Sequence, residues 1–233
     1  MNLLLFRNRD SRQSFASGSR EYEHVRKVLK MNRGDRFDVG LENGPRGKAC
    51  IEHLDRDKLD VVVEWGSCPE RPRSVTALLG LSRPQTVQKQ LNNLATLGVS
   101  RMLFFQSDRG EKSYAMSKLW TDNQWQRHVR DGIEQAFCTY LPEVILVDSL
   151  EMALAQVSDN TGAVLDNYEA EIPLKAYPWS NIPVFAIGSE RGWTIRERDI
   201  FRDAGWKLVH LGERVLRCET ASSLAAAHAL GLI

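Results

Sequence analysis

The chain has only four cysteines among its 233 residues, Cys50, Cys68, Cys138 and Cys218, and no two of them form a Cys-x-x-Cys pair. Its five histidines, His24, His53, His128, His210 and His228, share no ligand spacing with them, so reduced thiols and no bound metal are expected. No apolar run approaches the roughly 20 residues of a membrane span, which excludes a helical membrane protein. Met1 to Phe6 is apolar but lacks a basic flank and a small-residue cleavage site, so it reads as a first strand and the protein is expected in the cytoplasm. A Gly-x-Gly-x-x-Gly turn after the first strand is also missing, which weakens a nucleotide-dependent enzyme of Rossmann type. The net charge of +1 argues neither for nor against a nucleic-acid partner.

What is present points to two domains. Residues 1–73 hold 15 Lys/Arg against 12 Asp/Glu and residues 74–233 hold 16 against 18, a mildly basic front on a mildly acidic body. The front is β-rich, with strand-like runs at Leu3–Phe6, Arg36–Leu41, Lys48–Leu54 and Leu59–Trp65 separated by Gly, Asn and Asp turn signals. One helix, Arg20 to Met31, sets Val25, Val28 and Leu29 inward and Arg20, Arg26, Lys27 and Lys30 outward. The layout suggests a small β-barrel with a basic, RNA-facing helix; the same charges also suit a solvated helix face. Pro69 to Arg73 reads as the linker.

From residue 74 strands alternate with helices: strand Val75–Leu81, helix Pro84–Leu97, strand Arg101–Gln106, a long helix Asp122–Tyr140, strand Val144–Val147 and a short helix near Glu151–Ala155. Strands Ala163–Asp166 and Ile182–Ile187, helix Thr194–Ala204, strand Leu208–Leu211 and helix Glu219–Leu230 complete the series. Such alternation predicts a parallel sheet covered on both faces.

Two stretches share one grammar. Ile187-Gly188-Ser189-Glu190-Arg191-Gly192 and Leu211-Gly212-Glu213-Arg214-Val215-Leu216-Arg217-Cys218-Glu219-Thr220-Ala221 each follow an apolar strand, turn at glycine and lead into a helix. Both loops are expected at one edge of the sheet, where α/β proteins bind ligands. A Gly-rich turn can also do no more than connect a strand to a helix.

Together they resemble the signatures Ile-Gly-Pro-Glu-Gly-Gly and Leu-Gly-x-x-Ile-Leu-Arg-x-Glu-Thr-Ala of the ribosomal RNA uridine-N3 methyltransferases, a family of the SPOUT (α/β-knot) superfamily. The second is matched almost throughout, whereas the first departs at Ser189 and Arg191. The resemblance extends to Leu97-Gly98-Val99-Ser100, Arg109, Glu134-Gln135 and Pro142-Glu143, with departures at Thr96 and Cys138 and with Arg83 where the family usually carries lysine. It also covers the front, at His24 to Lys30 and Gly34-Asp35, which is similar to the family's PUA-like domain.

The resemblance implies a PUA-like domain over 1–73 and a trefoil-knotted methyltransferase domain over 74–233, acting as a homodimer on ribosomal RNA or the small ribosomal subunit. It implies S-adenosyl-L-methionine held by Leu165, Ile187, Gly188, Glu190, Gly192, Leu211, Gly212, Val215, Leu216, Arg217, Glu219 and Thr220. RNA is expected at Arg20, Arg26, Lys27, Lys30 and Arg83. A small-residue face on the last helix, Ser222, Ala225, Ala226 and Ala229, suits packing against a second subunit.

Uracil N3 is a weak nucleophile until its imide proton leaves, after which charge spreads over O2 and O4. Arg217 is the first candidate to stabilise that charge and Arg109 the second, through a phosphate or base contact. Alternatives stand beside these roles: Arg217 paired to Glu213 or Glu219 at the surface, Glu219 serving only the helix dipole, and an RNA-binding relative that keeps the fold without turnover.

Overall fold

The computed structural model describes residues 3–157 and 161–233, so Met1 and Asn2 of the apolar start lie outside the described residues. The chain divides into two compact units. One comprises Met1–Arg71 with Ile133–Leu141, the other Pro72–Gly132 with Pro142–Ile233.

In the first unit, strands β1 (Leu4–Phe6), β2 (Arg12–Ala16), β3 (Arg36–Leu41), β4 (Arg46–Leu54) and β5 (Lys58–Trp65) form one sheet in the order β1-β3-β4-β5-β2. Alternation puts Phe37 and Val39, Ala49 and Ile51, and Leu59, Val61 and Val63 on one face, around a core shared with Leu4, Phe6, Tyr22 and Val25. Strand β2 was missed from sequence. It is an edge strand whose side chains are at best half-buried, and only Phe15, 4.9 Å from the Phe6 ring centroid, carries an apolar signal.

Residues 133–141 complete this unit. The backbone N–H of Leu3 donates to the Glu134 carbonyl (3.2 Å) and that of Leu5 to Glu134 Oε1 (2.9 Å), while Asn43 N–H donates to the Thr139 carbonyl (2.7 Å). The buried Glu134 carboxylate also receives both arms of the Arg20 guanidinium.

The predicted basic helix is corrected in two ways. An α-turn, α1 (Arg20–Glu23), passes into a π-helical stretch, His24–Leu29, closed by Lys30 in the left-handed region at φ 53°. The wider π winding rotates later residues off the α-helical face, and Val28, expected inside, is 62% exposed. Arg20 turns onto the buried Glu134, and Arg26, although exposed as expected, donates from its guanidinium to Tyr22 Oη and to the Asp55 carbonyl (2.9 Å). Lys27 and Lys30 remain exposed, Lys27 paired with Glu23 at 2.5 Å.

The second unit is built on β6 (Thr76–Gly80), α2 (Pro84–Leu97), β7 (Arg101–Phe105), α3 (Lys118–Thr121), α4 (Trp125–Gln135, counted with the first unit from Ile133), β8 (Glu143–Val147) and α5 (Leu150–Ala155). Strands β9 (Ala163–Leu165), β10 (Ile172–Pro173) and β11 (Val184–Ile187), helix α6 (Ile195–Asp203), β12 (Lys207–His210) and helix α7 (Cys218–Leu230) follow. Its seven strands are all parallel, in the order β10-β12-β9-β11-β6-β7-β8. Pro84 opens α2, and Gly98 at φ 94° closes it with its N–H on the Leu94 and Ala95 carbonyls.

Two helical expectations change. Helix α4 is shorter than Asp122–Tyr140, because Phe137 at φ 57° ends it with a Schellman-type turn in which Cys138 N–H donates to the Ile133 carbonyl (3.0 Å). The small face of α7 is not available to a second subunit. Ser222, Ala225, Ala226 and Ala229 are buried within the chain, and Gln90 Nε2 of α2 donates to Ser222 Oγ at 2.9 Å. No described helix is long and apolar enough to cross a membrane.

Glu134→Ala removes the buried carboxylate that the Leu5 N–H and the Arg20 guanidinium share. A stability loss of about 2–4 kcal/mol is expected in urea unfolding; a loss below about 0.5 kcal/mol would show that Glu134 is dispensable to the first unit.

Candidate functional site

Strands β9, β11 and β12 end side by side, and with the end of β6 their loops enclose a cavity of about 770 Å³. The β9 loop contributes Leu165 to Tyr168, the β11 loop Ile187 to Trp193, and the β12 loop Leu211 and Val215 to Glu219. Arg83, Gln85, Thr86 and Lys89, after β6, close the fourth side. Parallel strands leave all four loops on their carboxyl side, where the ladder ends and backbone amides and side chains are free to meet a ligand.

Of the residues expected at a cofactor, Leu165, Ile187, Gly188, Glu190, Gly192, Leu211, Val215, Leu216, Arg217 and Glu219 line this cavity. Gly212 and Thr220 do not. Gly212 shapes its loop instead: it stands at φ 103°, and a Cβ there would meet nothing within 4 Å, so the glycine is needed for its backbone angle alone. Space is the constraint at Gly80, where a Cβ would fall 2.7 Å from the Ser189 nitrogen. Arg83, expected at RNA, is a cavity residue, and Arg109 is not: its Nη1 donates to the Arg191 carbonyl at 3.1 Å and ties two loops together.

The loops are held from behind by buried carboxylates. Asp166 accepts from the backbone N–H groups of Tyr168 (2.6 Å) and Glu169 (2.7 Å), and pairs with the buried Arg198 at 2.7 Å. Glu197, fully buried, closes a capping box with Thr194 at the start of α6 and accepts from Asp108 N–H at 2.9 Å. Trp193 Nε1 donates to the Leu165 carbonyl at 2.9 Å and so joins the β11 loop to β9.

Within the cavity Glu190 Oε1 accepts from Arg83 N–H (3.2 Å) and Thr86 Oγ1 (3.1 Å), with the Arg83 guanidinium at 3.4 Å. Lys89, not Arg217, pairs with Glu219, at 3.1 Å. Burial raises the Glu219 carboxyl, but its own backbone N–H, Lys89 and Arg217 outweigh that and its net shift is downward. Among the described residues Arg217 has no ion-pair partner, so neither Glu213 nor Glu219 neutralises it. Cys218 Sγ donates to the Gly188 carbonyl at 3.5 Å; burial, with Glu190 and Glu219 adding, pushes its thiol up to about 11, which makes it a packing group and not a nucleophile.

Thr96 and Cys138 lie off the cavity, Thr96 donating to the Asn92 carbonyl of its own helix at 2.8 Å. Ser189 and Arg191, the other two departures, line it, Ser189 buried and Arg191 exposed. Asp166, Asn167, Tyr168 and the α2 residues were missed from sequence, although Leu165 and Gly80 also end strands that run into polar loops. Among the described residues no group of His, Cys, Asp or Glu is placed to hold a metal ion.

Residues 69–230 match the family described as RNA methyltransferase domain, and residues 17–64 the one described as RNA methyltransferase PUA domain. The ribosomal RNA small subunit methyltransferase E of Treponema pallidum is 32% identical over 97% of this chain and 90% of its own. The chain belongs to the small subunit methyltransferase E family. A second member, from Borreliella burgdorferi, is 25% identical over 97% of this chain and 96% of its own. The family's fold recurs in the Neisseria gonorrhoeae enzyme, whose crystal structure is bound to S-adenosyl methionine: TM-score 0.84, 24% identity, 100% of this chain and 98% of that one. A putative methyltransferase from Legionella pneumophila, in complex with the cofactor, gives the same TM-score at 20% identity over 98% and 96% of the two chains.

The buried thiol is open to a direct test. In the folded protein at pH 8, iodoacetamide is expected to label the exposed Cys68 and spare Cys218, with Cys218 labelled only after denaturation. Mass spectrometry showing both labelled at one rate would place Cys218 in contact with solvent.

Proposed function

We propose that this chain transfers the methyl group of S-adenosylmethionine to N3 of a uridine in small-subunit ribosomal RNA. The observation that carries this is the cavity at the carboxyl ends of β9, β11 and β12, in which both signature stretches meet. The residues present suit the cofactor: Leu165, Ile187, Val209, Leu211 and Leu216 offer apolar walls for an adenine, and Gly188 brings bare backbone to the lining. Bound there, the cofactor supplies an electrophilic methyl carbon.

The protein's work is placement. Holding nucleophile and methyl carbon in line is worth about 7–11 kcal/mol of the barrier. Arg217, exposed and without an ion pair among the described residues, serves the charge that spreads over O2 and O4 of the uracil. Arg109 acts by positioning, through its bond to the Arg191 carbonyl. Gly212 sets the course of the β12 loop and Thr220 the first turn of α7.

The reading extends to a trefoil knot formed from about Leu165 onward, to a cytoplasmic location beside the ribosome, and to the small subunit or its RNA as partner. Lys27, Lys30 and Arg83 are the RNA contacts it retains, with Arg20 and Arg26 supporting the fold. A homodimer is part of it, supported by family resemblance and by two side chains on the cavity loops, Tyr168 and Val215, that stand 82% and 80% exposed. Light scattering is expected to give twice the 26.5 kDa chain mass at micromolar concentration; a monomer would count against the dimer.

Mapping modified nucleosides in ribosomal RNA from cells lacking the gene tests the whole reading: one N3-methyluridine of the small subunit should vanish and return with the gene. Arg217→Ala should keep calorimetric binding of S-adenosylmethionine while methyl transfer falls about tenfold to a thousandfold, roughly 1.4–4 kcal/mol. An unchanged transfer rate would remove Arg217 from the mechanism.

A further inference from the structure

The carboxylates of the cavity wall are all matched. Asp166 pairs with Arg198 at 2.7 Å, Glu190 with Arg83 at 3.4 Å and Glu219 with Lys89 at 3.1 Å. Two guanidinium groups of the lining, those of Arg191 and Arg217, make no ion pair among the described residues, so the mouth carries a surplus of positive charge. Arg217 has a task in the reading above, and Arg191 has none.

The backbone of Arg191 is fixed although its side chain is exposed. Gly192 N–H donates to the Ser189 carbonyl at 2.9 Å to close the turn, Gly192 takes φ 64°, and the Arg191 carbonyl receives Arg109 Nη1 at 3.1 Å. The anchored turn fixes the point from which the guanidinium reaches, and its planar fork matches an anionic oxygen group in two hydrogen bonds. Two such groups come within the chemistry of this site, an RNA phosphodiester and the carboxylate of S-adenosylmethionine. Arg191 is solvent-exposed, whereas Ile187, Gly188 and Ser189 before it are buried, so its side chain belongs to the rim and not to the inner wall.

We propose that Arg191 binds a backbone phosphate of the RNA strand that presents the target nucleotide, and so acts as a positioning residue that this chain carries where the family signature has glycine. The proposal rests on the methyltransferase reading.

The test uses the full-length protein with a small-subunit ribosomal RNA transcript and, separately, with S-adenosylmethionine. Arg191→Ala is expected to weaken RNA binding roughly tenfold and to flatten the slope of log affinity against log salt by about 0.7, the share of one single-strand phosphate. KM for RNA should rise with kcat at saturating RNA kept, and cofactor affinity by calorimetry should not move. Arg191→Lys should restore most of the salt slope. An unchanged slope and RNA affinity in Arg191→Ala would overturn the proposal, and so would a loss confined to cofactor affinity, which would assign the guanidinium to the cofactor carboxylate. Binding of cofactor and RNA by the unmutated protein in these assays separates failure of this contact from failure of the reading beneath it.

Discussion

The buried pair of Asp166 and Arg198 is the contact on which the cavity depends. An isolated buried charge costs several kcal/mol, and here each group is compensated by the other and by added hydrogen bonds. Asp166 gives its second oxygen to the amides of Tyr168 and Glu169, so one carboxylate fixes both the start of α6 and the turn after β9. Glu197, one helix position before Arg198, does the same for the loop after β7. A ligand pocket made of four loops would collapse or wander on loop chemistry alone. Here two adjacent residues of one helix anchor the β9 loop and, beside the cavity, the loop after β7 from beneath.

The division of labour among the arginines follows. Arg20 and Arg198 are held by carboxylates, Arg109 by a carbonyl, and Arg83 by the carboxylate it shares with Thr86. Of the cavity-lining arginines, Arg191 and Arg217 make no ion pair among the described residues. Charge at the mouth is therefore set less by the chain's net +1 than by which cations the fold has already used.

Much of this was legible beforehand, for reasons that differ by region. The strands of the parallel sheet were readable because both faces are buried, which leaves unbroken apolar runs such as Val184–Ile187 and Met102–Phe105. The two signature loops were readable because glycine and charge punctuate those runs. Strand β2 was not, since an edge strand is held by backbone bonds that any side chain permits. The inward turn of Arg20 was hidden for another reason: its partner, Glu134, is 114 positions away, and no local pattern encodes such a pairing. Nor does a period of 3.6 anticipate a π-helical stretch, which is why Val28 was placed on the wrong face.

The close approach of Gly80 to Ser189 has a consequence for how such a site can diverge. The Ser189 backbone at the base of the β11 loop rests on a strand end that has no room for even a methyl group, so position 80 is locked at glycine. Two residues further on, at Arg191, the same loop is open to solvent and any side chain fits. Substitution is thus steered along the loop by steric tolerance alone. Side chains at the lip can change while the glycine beneath the loop cannot, so what the pocket meets can vary without altering what it holds.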